Sequence, residues 1–148
     1  MAKQLSAQID IQATPQRVWQ VLTDFAAYPQ WNPFLTRAHG NAQPGQRLTL
    51  RLQPVGGRGM TFRPIVLEAT PPRQLRWLGH LLVTGLFDGE HRFTLQPIGQ
   101  GQVRLVQQED YRGLLVPLLA ASLDRRTLPA FQQMNQALKR RAEQPRRD

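Results

Sequence analysis

The sequence predicts an α+β domain in which a seven-stranded antiparallel sheet folds around one long C-terminal helix. Between Leu114 and Ala142, large apolar residues recur at Val116, Leu119, Leu123, Leu128, Phe131, Met134 and Leu138, close to the 3.6-residue helical period. Between Leu35 and Gly113 the chain reads instead as short alternating segments punctuated by glycine and proline. A sheet with one apolar face has to bury it, and the long amphipathic helix is the natural partner.

The elements follow in order. Leu5, Ala7, Ile9 and Ile11 alternate with Ser6, Gln8, Asp10 and Gln12, which predicts a half-buried strand. Thr14 before Pro15 is a helix start, with a capping hydroxyl followed by proline at the first helical position; Val18, Trp19, Leu22 and Phe25 give the short helix its apolar side. Tyr28 to Phe34 (YPQWNPF) is an aromatic, proline-rich turn. Six strands are then expected: Leu35 to His39, one carrying Leu48, Leu50 and Leu52, Met60 to Ala69, Gln74 to Leu81, Phe87 to Gln96, and Gln102 to Tyr111. In the final helix, Pro129 lacks a backbone donor and crowds the carbonyl one turn back, so a kink is expected near Arg125 to Thr127.

Composition bounds the function. The 148 residues suit a single domain spanning the whole chain. The absence of cysteine excludes disulfides, thiol chemistry and thiolate metal sites. His39, His80 and His91 are too scattered for a three-histidine metal centre, and neither Ser6 nor Ser122 lies in a nucleophile-elbow pattern. No phosphate-cradling or dinucleotide fingerprint occurs, so no cofactor is expected. The net charge of +9 is partly concentrated at the C-terminus, where a basic tail at about 143–148 complements the helix dipole and offers a route to peripheral membrane contact. Basic residues are not interleaved with aromatics, so nucleic acid is not an expected partner. With no apolar run resembling a signal peptide or membrane span, a cytoplasmic protein is expected, as a monomer or homodimer.

Several segments resemble a known family. Pro15 to Trp19 (PQRVW) followed by Tyr28 to Phe34 looks like the opening of the START-like, or polyketide cyclase/dehydrase-like (SRPBCC), superfamily. Leu75-Arg76-Trp77, Gly89 to Phe93 (GEHRF) and Phe131 to Lys139 resemble one bacterial branch of it. The resemblance implies a helix-grip fold of order β-αα-β6-α, with a cavity between sheet and helix that in relatives holds lipids, quinones, plant hormones or polyketide intermediates. Some relatives are enzymes and many are carriers, so the fold does not choose between them.

Strand phase locates candidate site residues. Phe87, His91, Phe93 and Leu95 share one face of their strand, and Gln107, Glu109 and Tyr111 share one face of the next. A turn centred on Gln100 sets Leu95 opposite Leu105, Phe93 opposite Gln107 and His91 opposite Glu109. A histidine beside a carboxylate on an apolar wall has three readings: an acid/base couple, a polar anchor that orients a greasy ligand, or two groups that satisfy each other. A register shift of one residue would separate them. Trp77 should also face inward, and Trp31 and Phe34 either cap the cavity or anchor the small helices. Leu115, Leu119 and Leu123 would form the cavity floor.

The preferred expectation is a binder of a small hydrophobic ligand, of lipid, quinone or polyketide-like character. Its contacts would be Trp31, Phe34, Trp77, Phe87, His91, Phe93, Glu109, Tyr111, Leu115, Leu119 and Leu123. The competing expectation is a cyclase or dehydratase in which His91 and Glu109 shuttle a proton. A third is a partner-binding protein with a filled core that acts through the basic tail.

Overall fold

The computed structural model describes residues 2–145, so the expected basic tail falls mostly outside the described residues, at Arg146, Arg147 and Asp148. Strand β1 (Ala2–Ile11) leads into α1 (Pro15–Thr23), a turn of 3-10 helix (Phe25–Ala27) and α2 (Tyr28–Trp31). The helix start is as the sequence predicts: Thr14 Oγ1 accepts from the Arg17 amide at 3.1 Å, and Pro15 occupies the first turn. In the aromatic turn, Tyr28 is wholly buried and its hydroxyl donates to the Leu22 carbonyl. Asn32 Oδ1 accepts from the amides of Phe34 and Leu35 at 3.0 and 2.9 Å, a side-chain turn that launches the next strand.

Strands β2 (Leu35–His39), β3 (Thr49–Leu52), β4 (Met60–Phe62), β5 (Ile65–Thr70), β6 (Gln74–His80), β7 (Asp88–Gly99) and β8 (Gln102–Arg112) follow. They form a five-stranded sheet, β1-β8-β7-β6-β5, and a three-stranded sheet, β2-β3-β4, with antiparallel pairing throughout. This corrects the expectation of seven strands in one sheet. The segment expected as a single strand from Met60 is broken at Arg63-Pro64, where proline has no N–H to give to a ladder. The register nevertheless runs through the break. Leu52 faces Met60, Leu50 faces Phe62, and an isolated bridge then pairs Arg47 with Ile65. Backbone bonds from Leu48 N to Pro64 O at 2.8 Å and from Val66 N to Gln46 O at 2.9 Å stitch the two sheets together.

The C-terminal segment is two helices, α3 (Val116–Ser122) and α4 (Leu128–Glu143), joined by a π turn at Leu123–Thr127. The irregularity expected near Arg125 to Thr127 takes that form: the Leu128 amide reaches back five residues to the Leu123 carbonyl, just before the donor-less Pro129. The two helices are anchored unequally. Phe131, Met134 and Leu138 on α4 are fully buried, at roughly 2 kcal/mol of apolar burial each, whereas α3 itself buries only Val116. Helix α4 is therefore the one the sheet grips.

The π turn weakens local hydrogen bonding at the end of the less anchored helix. Backbone amides from Leu123 to Leu128 should exchange with solvent at least about tenfold faster than those of Phe131 to Leu138. Uniform protection across both segments in hydrogen exchange would show the turn to be as stable as the buried helix.

Candidate functional site

The β7–β8 hairpin positions the site. Its turn is Gln100-Gly101, closed by the Gly99–Gln102 pair, and a bulge between Pro97 and Gly99 shifts the rest of the ladder into the register that a turn centred on Gln100 would give. Leu95 pairs with Leu105, Phe93 with Gln107, and His91 with Glu109. Pleat alternation then turns His91, Gln107, Glu109 and Tyr111 to the side facing α4. His91 is only 2% exposed and stands among aromatic rings. Trp77 stacks on it at 5.3 Å, Phe93 lies at 4.6 Å and Phe131 at 5.0 Å, and Phe34 stacks more distantly at 6.4 Å.

A chain of hydrogen bonds crosses this apolar setting. The Tyr111 hydroxyl donates to Glu109 Oε1 at 2.8 Å, which also contacts His91 Nδ1 at 3.1 Å. On the other side of the ring, His91 Nε2 is 3.0 Å from Gln107 Oε1. Gln107 Nε2 donates to Asn135 Oδ1 at 2.7 Å and to the Phe131 carbonyl at 3.4 Å. A backbone carbonyl only accepts, so the Gln107 amide must point its NH2 towards α4 and its oxygen towards His91. That oxygen needs a donor, which places a proton on His91 Nε2. Nδ1 and Glu109 Oε1, two acceptors at 3.1 Å, then require a further proton between them. An imidazole nitrogen and a carboxylate oxygen thus share one proton across 3.1 Å.

The cavity beside this chain has a volume of about 110 Å³. Phe34, Trp77, Phe87, Leu123 and the polar cluster of His91, Glu109 and Tyr111 line it. Sequence reasoning missed the opposite wall, Leu50, Leu52, Met60 and Phe62, which the small sheet supplies. A shallower groove of about 220 Å³ shares Pro54, Met60, Phe62, Phe87, Leu123 and Thr127 with the cavity and extends it past Leu81, Leu119, Arg58 and Arg126. The groove is the cavity's mouth.

The remaining expected contacts lie elsewhere. Trp31 packs edge-on against Tyr28 at 5.2 Å, beside Arg17 and Arg141, on the anchoring side of its two readings. Phe93 is fully buried beneath His91 as core. Leu119 borders only the groove, and Leu115 is half-buried at the entrance to α3 without lining the cavity. Gln107 and Asn135 were not expected to act with His91. The available signal was a polar residue at position 135 inside the apolar stripe of Phe131, Met134 and Leu138.

Two further features shape the cluster. Glu109 Oε2 lies over Gly89, where an added Cβ would collide with it, and takes no hydrogen bond from a described residue. The Tyr111 hydroxyl is held protonated well above the usual tyrosine range, first by burial and then by the neighbouring Glu109 charge. Elsewhere, His80 pairs with Asp88 at 2.8 Å. Among the described residues no three histidine or carboxylate side chains gather as a metal site would need, and no helix is long and apolar enough to cross a membrane.

Residues 2–143 match the family model for polyketide cyclase/dehydrase and lipid transport proteins. The chain belongs to that family. Among curated proteins none matches the sequence. Solved structures share the family fold at low identity. A START superfamily protein from Mycobacterium smegmatis superposes with a TM-score of 0.74 at 23% identity, over 95% of this chain and 97% of that one. Norcoclaurine synthase from Thalictrum flavum, solved with dopamine and hydroxybenzaldehyde, gives 0.75 at 11% identity, over 99% and 90%. The di-domain aromatase/cyclase BexL of the BE-7585A biosynthetic pathway gives 0.79 at 11% identity, over 98% of this chain; the chain spans 51% of that protein's length.

Replacing Gly89 by alanine should push the Glu109 carboxylate off its seat and separate it from His91. The fold should survive at a cost of about 1 kcal/mol, with a clear change in the His91 ring-nitrogen NMR shifts. Unchanged shifts would mean that Glu109 is not positioned by this close approach.

Alkaline stability gives a second check. Tyr28 and Tyr111 both titrate above the ordinary value of 10.0 when folded, chiefly because they are buried. The unfolded chain therefore loses these protons first, so stability is intact below pH 10 and falls as pH rises beyond it. Tyr111→Phe should flatten that decline in denaturant titrations at successive pH values; a slope identical to the parent's would exclude the contribution.

Proposed function

We propose that the protein binds a small hydrophobic ligand in the cavity between its sheet and C-terminal segment. A ring-sized apolar group would enter the cavity, and the rest of the ligand would lie along the groove. The observation that carries this reading is the lone unbonded carboxylate oxygen, Glu109 Oε2, beside an otherwise apolar and aromatic cavity. Such a site combines area-driven affinity with one polar contact that sets orientation. The volume is on the order of one aromatic ring, since an engineered apolar cavity of about 150 Å³ holds benzene. The family's description, which joins cyclase/dehydrase chemistry with lipid transport, supports a ligand of this broad kind.

The proton held between His91 and Glu109 favours a second reading, in which the same ligand is a polyketide-like substrate and the pair acts as acid and base in a cyclase- or dehydratase-type reaction. The binding reading needs only that Glu109 accept a hydrogen bond, and so asks less of the site.

Titration calorimetry with phenol and toluene tests the binding reading. Phenol should bind about tenfold or more tightly than toluene, the value of a hydrogen bond to a charged acceptor, and Glu109→Leu should erase the difference. Equal affinities in the parent protein would overturn the proposal. His91→Gln separates the two readings: loss of turnover of a polyketone model substrate with phenol binding retained would establish the enzyme.

A further inference from the structure

Four large aliphatic side chains stand almost bare at one end of the molecule. Leu82 is 86% exposed, Val83 64%, Leu114 83% and Leu118 81%. They sit on two adjacent segments, the loop between β6 and β7 and the entrance to α3. Backbone bonds from Leu114 N to Gly85 O at 3.1 Å and from Leu115 N to Leu86 O at 3.0 Å join these segments. Gly113 seats one on the other, because any side chain there would meet the Leu86 carbonyl at 2.5 Å. Leu82 adopts φ +65°, a backbone conformation that favours glycine, yet the position carries a leucine turned to solvent. Isolated exposed leucines are ordinary, but four on two linked segments form a patch.

The surroundings of the patch are cationic. Arg58 and Arg126 line the groove, Arg112 ends β8 just before the second segment, and Arg125 lies on the π turn that follows α3; none has a carboxylate partner among the described residues. The acids nearest in the chain are already engaged: Asp110 accepts from Gln4 Nε2 at 2.8 Å and stands 4.0 Å from Arg92. Asp88 takes the Gly85 amide and His80, and Asp124 pairs with Lys3. The patch also adjoins the cavity mouth, since Leu81 and Leu119, next in sequence to Leu82 and Leu118, border the groove.

We infer that this end of the protein docks on an anionic lipid bilayer, with Leu82, Val83, Leu114 and Leu118 entering the interfacial region and the arginines facing lipid phosphates. Protruding aliphatic side chains supply the insertion and the cationic rim supplies the attraction to anionic headgroups. A protein partner matched to bare leucines alone would not require unpaired arginines around them. Docking in this orientation would hold the groove against the membrane, so an apolar ligand could pass without crossing water. The helix end from which the basic C-terminal tail departs is remote from the patch. Glu143 bonds the Gln12 amide at 2.7 Å, where β1 ends opposite Val103, whereas the patch follows Arg112 at the other end of β8, roughly 30 Å away at the rise of a strand.

The experiment is sedimentation with vesicles of phosphatidylcholine alone and of phosphatidylcholine mixed with phosphatidylglycerol. The full chain should bind the mixed vesicles and release in high salt. Leu82→Glu and Leu118→Glu should each weaken binding by about tenfold or more, and deletion of residues 144–148, which spares the Glu143 contact to Gln12, should leave it within about twofold of the parent, since the helix end they follow lies beyond a Debye length from the patch. Both substituted side chains are exposed, so thermal unfolding should match the parent and exclude misfolding. Failure of the parent protein to bind mixed vesicles would overturn the inference, as would binding that either glutamate variant leaves intact. Concentration-dependent self-association in sedimentation velocity that Leu118→Glu abolishes would also overturn it, assigning the patch to a second copy. Phenol binding in solution is a separate readout, so this inference and the proposed ligand site can fail independently.

Discussion

The hydrogen bond from Gln107 to Asn135 is the constraint on which the rest of the site depends. It is the polar tie between β8 and α4 within an otherwise apolar interface, and its partners are 0% and 2% exposed. A buried amide left without partners costs about 1–3 kcal/mol, so sliding the helix by one turn would forfeit this bond as well as the packing of Phe131 and Met134. With the helix so fixed, the Phe131 carbonyl orients the Gln107 amide, the amide oxygen fixes a proton on His91 Nε2, and the other imidazole nitrogen is left to share its proton with Glu109. The chemistry of the pair is thus set from the far side of the ring, by residues that never reach the cavity.

The cavity lies between parts of unequal rigidity. Its floor is the five-stranded sheet and its far wall the small sheet, whose β3–β4 loop meets the π turn through two hydrogen bonds. These run from Val55 N to Arg126 O at 3.0 Å and from Arg126 Nη1 to Gly56 O at 2.6 Å. At about 1 kcal/mol each, two such bonds are a modest tie beside the packing of α4. Under the proposed binding function, a ligand larger than the closed cavity would enter by parting the loop from the π turn while the gripped helix stays in place. The irregularity before Pro129 thus sits next to the mouth, at the join between the little-buried α3 and the anchored α4.

Much of this was legible in the sequence, and the reason is local. The two residues flanking Gln100 are glycines, which place the β7–β8 turn, and period-two alternation then shows which residues share a face; the bulge between Pro97 and Gly99, without which the Gly99–Gln102 closure would set His91 opposite Asp110, was not legible. The helix start at Thr14-Pro15 and the flaw before Pro129 are likewise properties of a few adjacent residues. What stayed hidden depends on contacts between distant segments. Met60 to Ala69 reads as one strand by alternation, and only its simultaneous pairing with β3 on one edge and β6 on the other shows where Pro64 divides it. Leu50 and Phe62 gave no sign that the small sheet would close the cavity. Asn135 could be seen as a polar intruder on an apolar stripe, yet its partner was recognisable only once the register of β8 against α4 was known.

Charge is distributed as unevenly as rigidity. The five-stranded sheet matches its charges across strands: Arg76 lies between Glu68 and Glu90, Arg92 faces Asp110 and Gln108, and Arg104 grips Asp10. Residues 25–67, by contrast, carry five arginines and no acid, and among the described residues these find at most neutral oxygens such as the Arg63 carbonyl or the Thr61 hydroxyl. Exposed ion pairs add little to stability, so folding does not account for this difference. Its consequence is a field: the positive potential belongs to the half of the molecule that forms the cavity wall and mouth. A hydrophobic cavity and an uncompensated cationic rim are opposite kinds of surface. A membrane interface satisfies both at once, offering acyl chains and phosphates within a few ångströms of each other.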